Sequence, residues 1–89
     1  MEIEIKKPQK EELERLDVKN WPIWEKEVSS FDWFYDEKET CLFLEGEVEV
    51  EVAQAKTVKI KKGDLVTFPQ GLKCKWHIKK AVRKHYKFG

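Results

Sequence analysis

The stretch Gly63-Asp64-Leu65-Val66-Thr67-Phe68-Pro69-Gln70-Gly71-Leu72-Lys73-Cys74-Lys75-Trp76 constrains this chain more than any other part of it. It reads as a turn, a short apolar strand, a second turn built on proline and glycine, and another strand. Turn signals this close together leave no room for a helix, which needs about ten residues or more between its punctuation. The region is therefore sheet.

The same rhythm holds on either side. Residues 2–6 alternate as Glu-Ile-Glu-Ile-Lys and read as a strand. Pro8 then opens a short helical turn, with Leu13 and Leu16 one turn apart, ending near Asp17 to Asn20. Trp21-Pro22-Ile23-Trp24 reads as an irregular aromatic segment that plugs one end of the core, because Pro22 interrupts a ladder. From Phe31 onward the period is two. Trp33 and Tyr35 share a face, a polar turn follows at Asp36-Glu37-Lys38, and Glu39 to Leu44 forms a strand ending in a turn at Glu45-Gly46. Glu47 to Val52 alternates glutamate with valine, valines in and glutamates out. Ala53 to Lys56 is a hairpin tip, Val58 and Ile60 continue the pattern, and the last strands pass through Cys74-Trp76-Ile78 and Val82-Lys84-Tyr86. About eight short strands and almost no helix predict an all-β antiparallel sandwich or barrel with a short N-terminal helical turn.

Eighty-nine residues set one domain, 1–89, with a thin core. The eleven aromatic residues matter for that reason, since each buries a large apolar area. No run of 18 apolar residues occurs, and the N-terminus lacks the apolar centre of a signal peptide, so a cytoplasmic location without membrane association is expected. Cys41 and Cys74 are too few and too far apart for a disulfide framework or a zinc knuckle, and read as reduced thiols.

A formal net charge of +1 conceals an asymmetry. Residues 1–51 hold 16 acids and 7 bases, a net of −9, whereas residues 52–89 hold Asp64 against 11 bases, a net of +10. Such a basic half could face nucleic acid, but no recognition helix or RNA-binding motif accompanies it. Its lysines alternate with apolar residues, as Lys59 and Lys61 do with Val58 and Ile60, so acidic strands are expected to pair with basic ones across the sheet.

The spacing of these turns resembles the cupins, small jelly-roll barrels. Their first motif has two histidines one residue apart, a glutamate after a short gap, and a glycine further on; Glu39 and Gly46 stand at the glutamate-to-glycine spacing. Gly63, Pro69 and Gly71 match the second motif in register. Within the superfamily the chain is similar to the short group related to ureidoglycine aminohydrolases and ethanolamine-utilisation cupins. The residues behind that likeness are Trp24-Glu25, Glu39-Thr40-Cys41, Leu44-Glu45-Gly46, Gly63-Asp64-Leu65-Val66, Phe68-Pro69-Gln70-Gly71, Trp76 and Val82-Arg83-Lys84-His85-Tyr86. The resemblance implies a jelly-roll barrel with its site inside, and a homodimer by habit of the fold. It also implies a divalent metal held by three histidines and the glutamate. Here the histidine positions fall on Trp33, Tyr35 and Cys74, so of the usual ligands only Glu39 remains. A metal-free pocket is expected; if a metal binds, Glu39 and Cys74 are its donors.

Alternation places Glu39, Cys41 and Phe43 on one face of their strand, and Cys74, Trp76 and Ile78 on one face of another. The predicted pocket comprises Trp33, Tyr35, Glu39, Cys41, Trp76, Lys84 and Tyr86, with aromatic walls and a few polar groups to orient a small-molecule ligand. The aromatics could equally be barrel filling. Glu39 is the candidate general acid or base, or else a structural carboxylate paired with Lys84 or bonded to Tyr35. Cys74 is a candidate nucleophile that would need a neighbouring base. His77 and His85 are expected at the surface or rim. Two function classes follow: a binding module for a small polar molecule, and a small-molecule enzyme of aminohydrolase or isomerase type using Glu39.

Overall fold

The computed structural model describes residues 2–53 and 56–89. Its spine is a pair of long strands, β4 (Glu39–Val52) and β7 (Lys73–Phe88), with β1 (Glu4–Lys6), β2 (Ile23–Lys26), β3 (Ser29–Phe34), β5 (Lys56–Lys61) and β6 (Leu65–Phe68) arranged on their edges. The two spine strands run antiparallel from Glu39 opposite Phe88 to Glu51 opposite Lys75. On the free edge of β4, β6 covers the first half and β5 the second, and β1 extends the sheet beyond β6. On the free edge of β7, β3 covers the first half and β2 the second. Every pairing is antiparallel, which gives the jelly-roll barrel that the turn spacing predicts.

Among the described residues the expected eight or so short strands are seven, because two expected breaks are bends. Glu45-Gly46 is not a turn but an irregularity within β4, where the register opposite β7 shifts between Phe43 and Val48. The insertion changes the phase of the strand: Glu39, Cys41 and Phe43 face the core before it, Val48 and Val50 after it. Likewise β7 continues through Lys79, Lys80 and Ala81, all exposed, instead of dividing in two. Bent long strands let one sheet wrap around its own core. That core gathers Tyr35, Phe43, Val50, Val66, Phe68 and Trp76, among others, at 2% exposure or less.

The helical turn is α1 (Lys10–Leu16), followed by a 3-10 turn over Val18–Asn20. It lies on the outer face of the sheet, where Leu13, Val18 and Trp21 pack against Leu42, Leu44 and Leu65. The two tryptophans expected to plug one end of the core are therefore separated. Trp21 joins the outer cluster, while Trp24, on β2, packs against the main core. Pro22 lies just before β2 and its carbonyl accepts the Tyr86 amide at 3.0 Å, so the absent proline N–H costs the ladder nothing. The hairpin tip expected at residues 53–56 includes 54 and 55, which lie outside the described residues. Among the described residues no helix is long and apolar enough to cross a membrane.

Candidate functional site

Lys84 anchors the site. On β7 it stands directly opposite Phe43 of β4 on one side and Trp24 of β2 on the other. Its ammonium donates to Glu39 Oε2 at 2.9 Å and to Cys41 Sγ at 3.3 Å, and the Cys41 thiol donates to the same carboxylate oxygen at 2.9 Å. The Nζ atom also lies 4.9 Å from the Trp24 ring centre and 4.8 Å from that of Trp76. Aromatic faces attract a desolvated cation, and here the cation belongs to the chain itself. Of the two structural partners weighed for Glu39, Lys84 and Tyr35, it is Lys84 that stands against it, with both side chains 6% exposed.

A cavity of about 160 Å³ opens beside this pair. Trp24 and Phe31 enclose it from β2 and β3, Tyr35 and Trp76 form its inner wall, and Tyr86 contributes from the end of β7. Trp33 and Phe88 stand at its rim, 47% and 49% exposed. The walls are held by stacking: Tyr35 lies on Phe68 with ring centres 4.7 Å apart and planes 6° apart, and Phe31 stacks on Trp76 at 5.9 Å. Tyr35 is fixed through its backbone as well, its N–H donating to Leu72 O and its carbonyl accepting the Gly71 N–H. The proline–glycine turn that dominates the sequence thus clamps a wall of the cavity.

Of the residues singled out by alternation, Trp33, Tyr35, Glu39, Trp76, Lys84 and Tyr86 line the cavity. Cys41, fully buried, sits behind its wall against Glu39 and Lys84. Cys74 is buried elsewhere on β7, opposite Trp33, whose carbonyl accepts its thiol at 3.7 Å. Trp24, Phe31 and Phe88 line the cavity without having been expected there. For Trp24 and Phe31 the inward residues Lys84 and Trp76 of β7 carried the clue, but which residues of β2 and β3 meet them depends on register. His77 bridges Ser30 and Glu51, and a ring nitrogen of His85 lies 2.9 Å from the Trp21 carbonyl oxygen.

Burial dominates the protonation of the neutral groups. It pushes the Cys41 thiol far above the ordinary thiol range, the opposing pull of Lys84 notwithstanding. Cys74 is pushed up to about 11 by the same desolvation. The Tyr35 hydroxyl is raised as well, first by burial and then by the charge of Glu39. Tyr35 Oη and Trp76 Nε1 are sealed from water and neither makes a hydrogen bond of acceptable geometry among the described residues. The indole N–H nevertheless bears on the hydroxyl, slightly favouring its ionised form.

The family model described as EutQ-like cupin domain matches residues 13–86. The chain belongs to the EutQ-like cupin family. This cupin is similar over 99% of its length, at 57% identity and a TM-score of 0.97, to the whole of a DUF861-family protein from Thermotoga maritima. A putative ethanolamine utilization protein Q from Salmonella typhimurium is 26% identical over 74% of the cupin, with a TM-score of 0.67. The EutQ protein of Clostridium difficile, at 21% identity over 74% and a TM-score of 0.67, shares the fold. The cupin spans about half of these two longer chains, 53% and 52% of them respectively. Comparison with curated proteins returns no match.

Proposed function

We propose that this cupin binds a small organic molecule in its aromatic cavity and does so without a metal ion. The observation that carries the reading is a cavity of about 160 Å³ walled by aromatic rings around a buried carboxylate–ammonium pair. Ligand sites have this composition: apolar walls with a few fixed polar groups.

The chemistry of the donors does not fit the metal that the fold family implies. Divalent cations need several oxygen, nitrogen or thiolate donors converging on one point. Among the described residues no group of three His, Cys, Asp or Glu side chains converges that way. Glu39, the one carboxylate in place, faces the Lys84 ammonium, whose charge repels a second cation. Cys41 is held as a thiol by burial, and Cys74 is turned to the Trp33 carbonyl. Catalysis gains no comparable support. Glu39 is fixed by the Lys84 ammonium and the Cys41 thiol, both donating to its Oε2, which is the arrangement of a structural carboxylate. As a nucleophile Cys74 would need a neighbouring base, and its thiol instead donates to a backbone carbonyl.

A small-molecule fragment screen read by thermal unfolding tests the proposal. A fragment at about a hundred times its Kd should raise the midpoint by on the order of 10 °C. Trp33→Ala removes a rim residue that is half exposed, so the variant should fold and lose the shift. A screen without a single stabilising fragment, or stoichiometric metal in protein purified without chelator, would overturn the proposal.

A further inference from the structure

Resting on that binding reading, we infer that the cavity selects one uncharged six-membered ring bearing a single hydroxyl-type group, and rejects charged rings of the same size. Size comes first. An engineered apolar cavity of about 150 Å³ holds one benzene molecule, and the cavity here measures about 160 Å³. A single ring therefore fills it.

Charge is the second filter. Glu39 and Lys84 neutralise one another at 2.9 Å, so the pocket offers no uncompensated charge to an incoming ion. An ionic ligand loses its hydration and gains no free counter-charge, and that loss is large in an aromatic enclosure. The aromatic faces do attract cations, but Lys84 Nζ already occupies them at 4.9 Å from Trp24 and 4.8 Å from Trp76. A second cation would meet that ammonium. An anion would meet Glu39.

One polar handle remains. Both hydrogen bonds to the Glu39 carboxylate fall on Oε2, so neither uses Oε1. Lys84 donates to two partners, Glu39 and Cys41, out of three N–H bonds that an ammonium carries. A ligand hydroxyl can donate a hydrogen bond to the carboxylate and accept one from the ammonium at once. The unpaired Tyr35 hydroxyl and Trp76 N–H are sealed from water, so they supply no such handle.

Four probes differing only at one substituent test the inference in the wild-type protein: phenol, benzene, benzoate and benzylammonium. Each is titrated near neutral pH while the indole N–H signals are followed by NMR. Phenol should bind most tightly, with benzene weaker by about five- to tenfold for want of one charge-assisted hydrogen bond. Benzoate and benzylammonium should be weaker than phenol by about tenfold or more. The Trp24 and Trp33 indole signals should move with phenol, and Trp33→Ala should weaken its binding. Benzoate or benzylammonium binding as tightly as phenol overturns the selectivity while leaving the binding reading standing. So does benzene matching phenol, or phenol binding that leaves Trp24, Trp33 and the Trp33→Ala variant unaffected. If none of the four binds, while the fragment screen above yields hits, the single-ring assignment fails; if the screen is also empty, the binding reading fails with it.

Discussion

The side chains of Lys84 and Glu39 are each only 6% exposed, so the energy of their pair depends on what each would face alone. Removing one partner from a buried ion pair leaves a charge with neither solvent nor counter-ion, at a cost of about 3–5 kcal/mol. Replacing both by apolar groups of similar volume often costs nothing, since the desolvation of two ions disappears with their attraction. We expect Lys84→Met to destabilise the protein by about 3–5 kcal/mol, and the Glu39→Leu/Lys84→Met double variant to lie within about 1 kcal/mol of wild type. Urea unfolding of the two single variants and the double variant measures the coupling directly. A double variant that loses the sum of the two single losses would mean that the two side chains do not compensate each other. Both residues were legible as inward-facing from alternation, and their pairing was one of the readings the sequence left open. Its distance was not legible, because it depends on how β4 registers against β7, and that register shifts within β4.

That shift is a property of one element, and it centres on Gly46. The residue has a φ of +105°, where side chains are rarely tolerated, and an added Cβ would lie 2.5 Å from Ala81 O and 2.8 Å from Val82 Cα. Both obstacles are backbone of β7 and cannot swing aside. Gly63 supplies a control, with a similar φ of +93° but only the flexible Lys7 ammonium near its Cβ, at 3.9 Å. Gly63→Ala should therefore cost the backbone strain alone, about 1 kcal/mol, while Gly46→Ala should cost that strain plus the clash, about 3 kcal/mol or more. Thermal unfolding would place Gly46→Ala lower by roughly 10 °C; equal midpoints would remove the steric role of the bend. The phase change was present in the sequence. Glu39, Cys41 and Phe43 are odd positions and Val48, Val50 and Val52 even ones, so a continuous strand through both sets must carry an irregularity. A glycine between the two sets reads equally well as a turn. What decided for a bend is that β7 is long enough to pair with both halves, a contact between segments distant in sequence that local punctuation does not encode.

Across the whole molecule, the division of charge becomes intelligible from topology. β4 lies between β5 and β7, so an outward glutamate on it has a neighbour from the basic half on each side. Glu47 stands opposite Lys61 and Lys80, and Glu49 opposite Lys59 and His77. Printed along the chain, the charges look like an acidic half and a basic half; folded, they alternate across the ladder. An ion pair forms there between Lys80 and Glu47 at 3.7 Å, and His77 Nε2 lies 3.2 Å from Glu51 Oε1. Each is exposed enough to be worth well under about 1 kcal/mol, so counting them says little about stability. Their collective effect appears when one sign is reversed. Glu49→Lys would set a cation directly opposite Lys59, and like charges so placed repel. We expect a loss of about 1 kcal/mol at low ionic strength. In 1 M salt the screening length contracts to about 3 Å, so less than half of that loss should persist. Urea unfolding of wild type and variant in both conditions isolates the term, because general salt effects on apolar burial cancel in the difference. A loss that survives high salt undiminished would assign the cost to packing at position 49, and the matching of acidic to basic strands would then contribute nothing measurable to holding this sheet together.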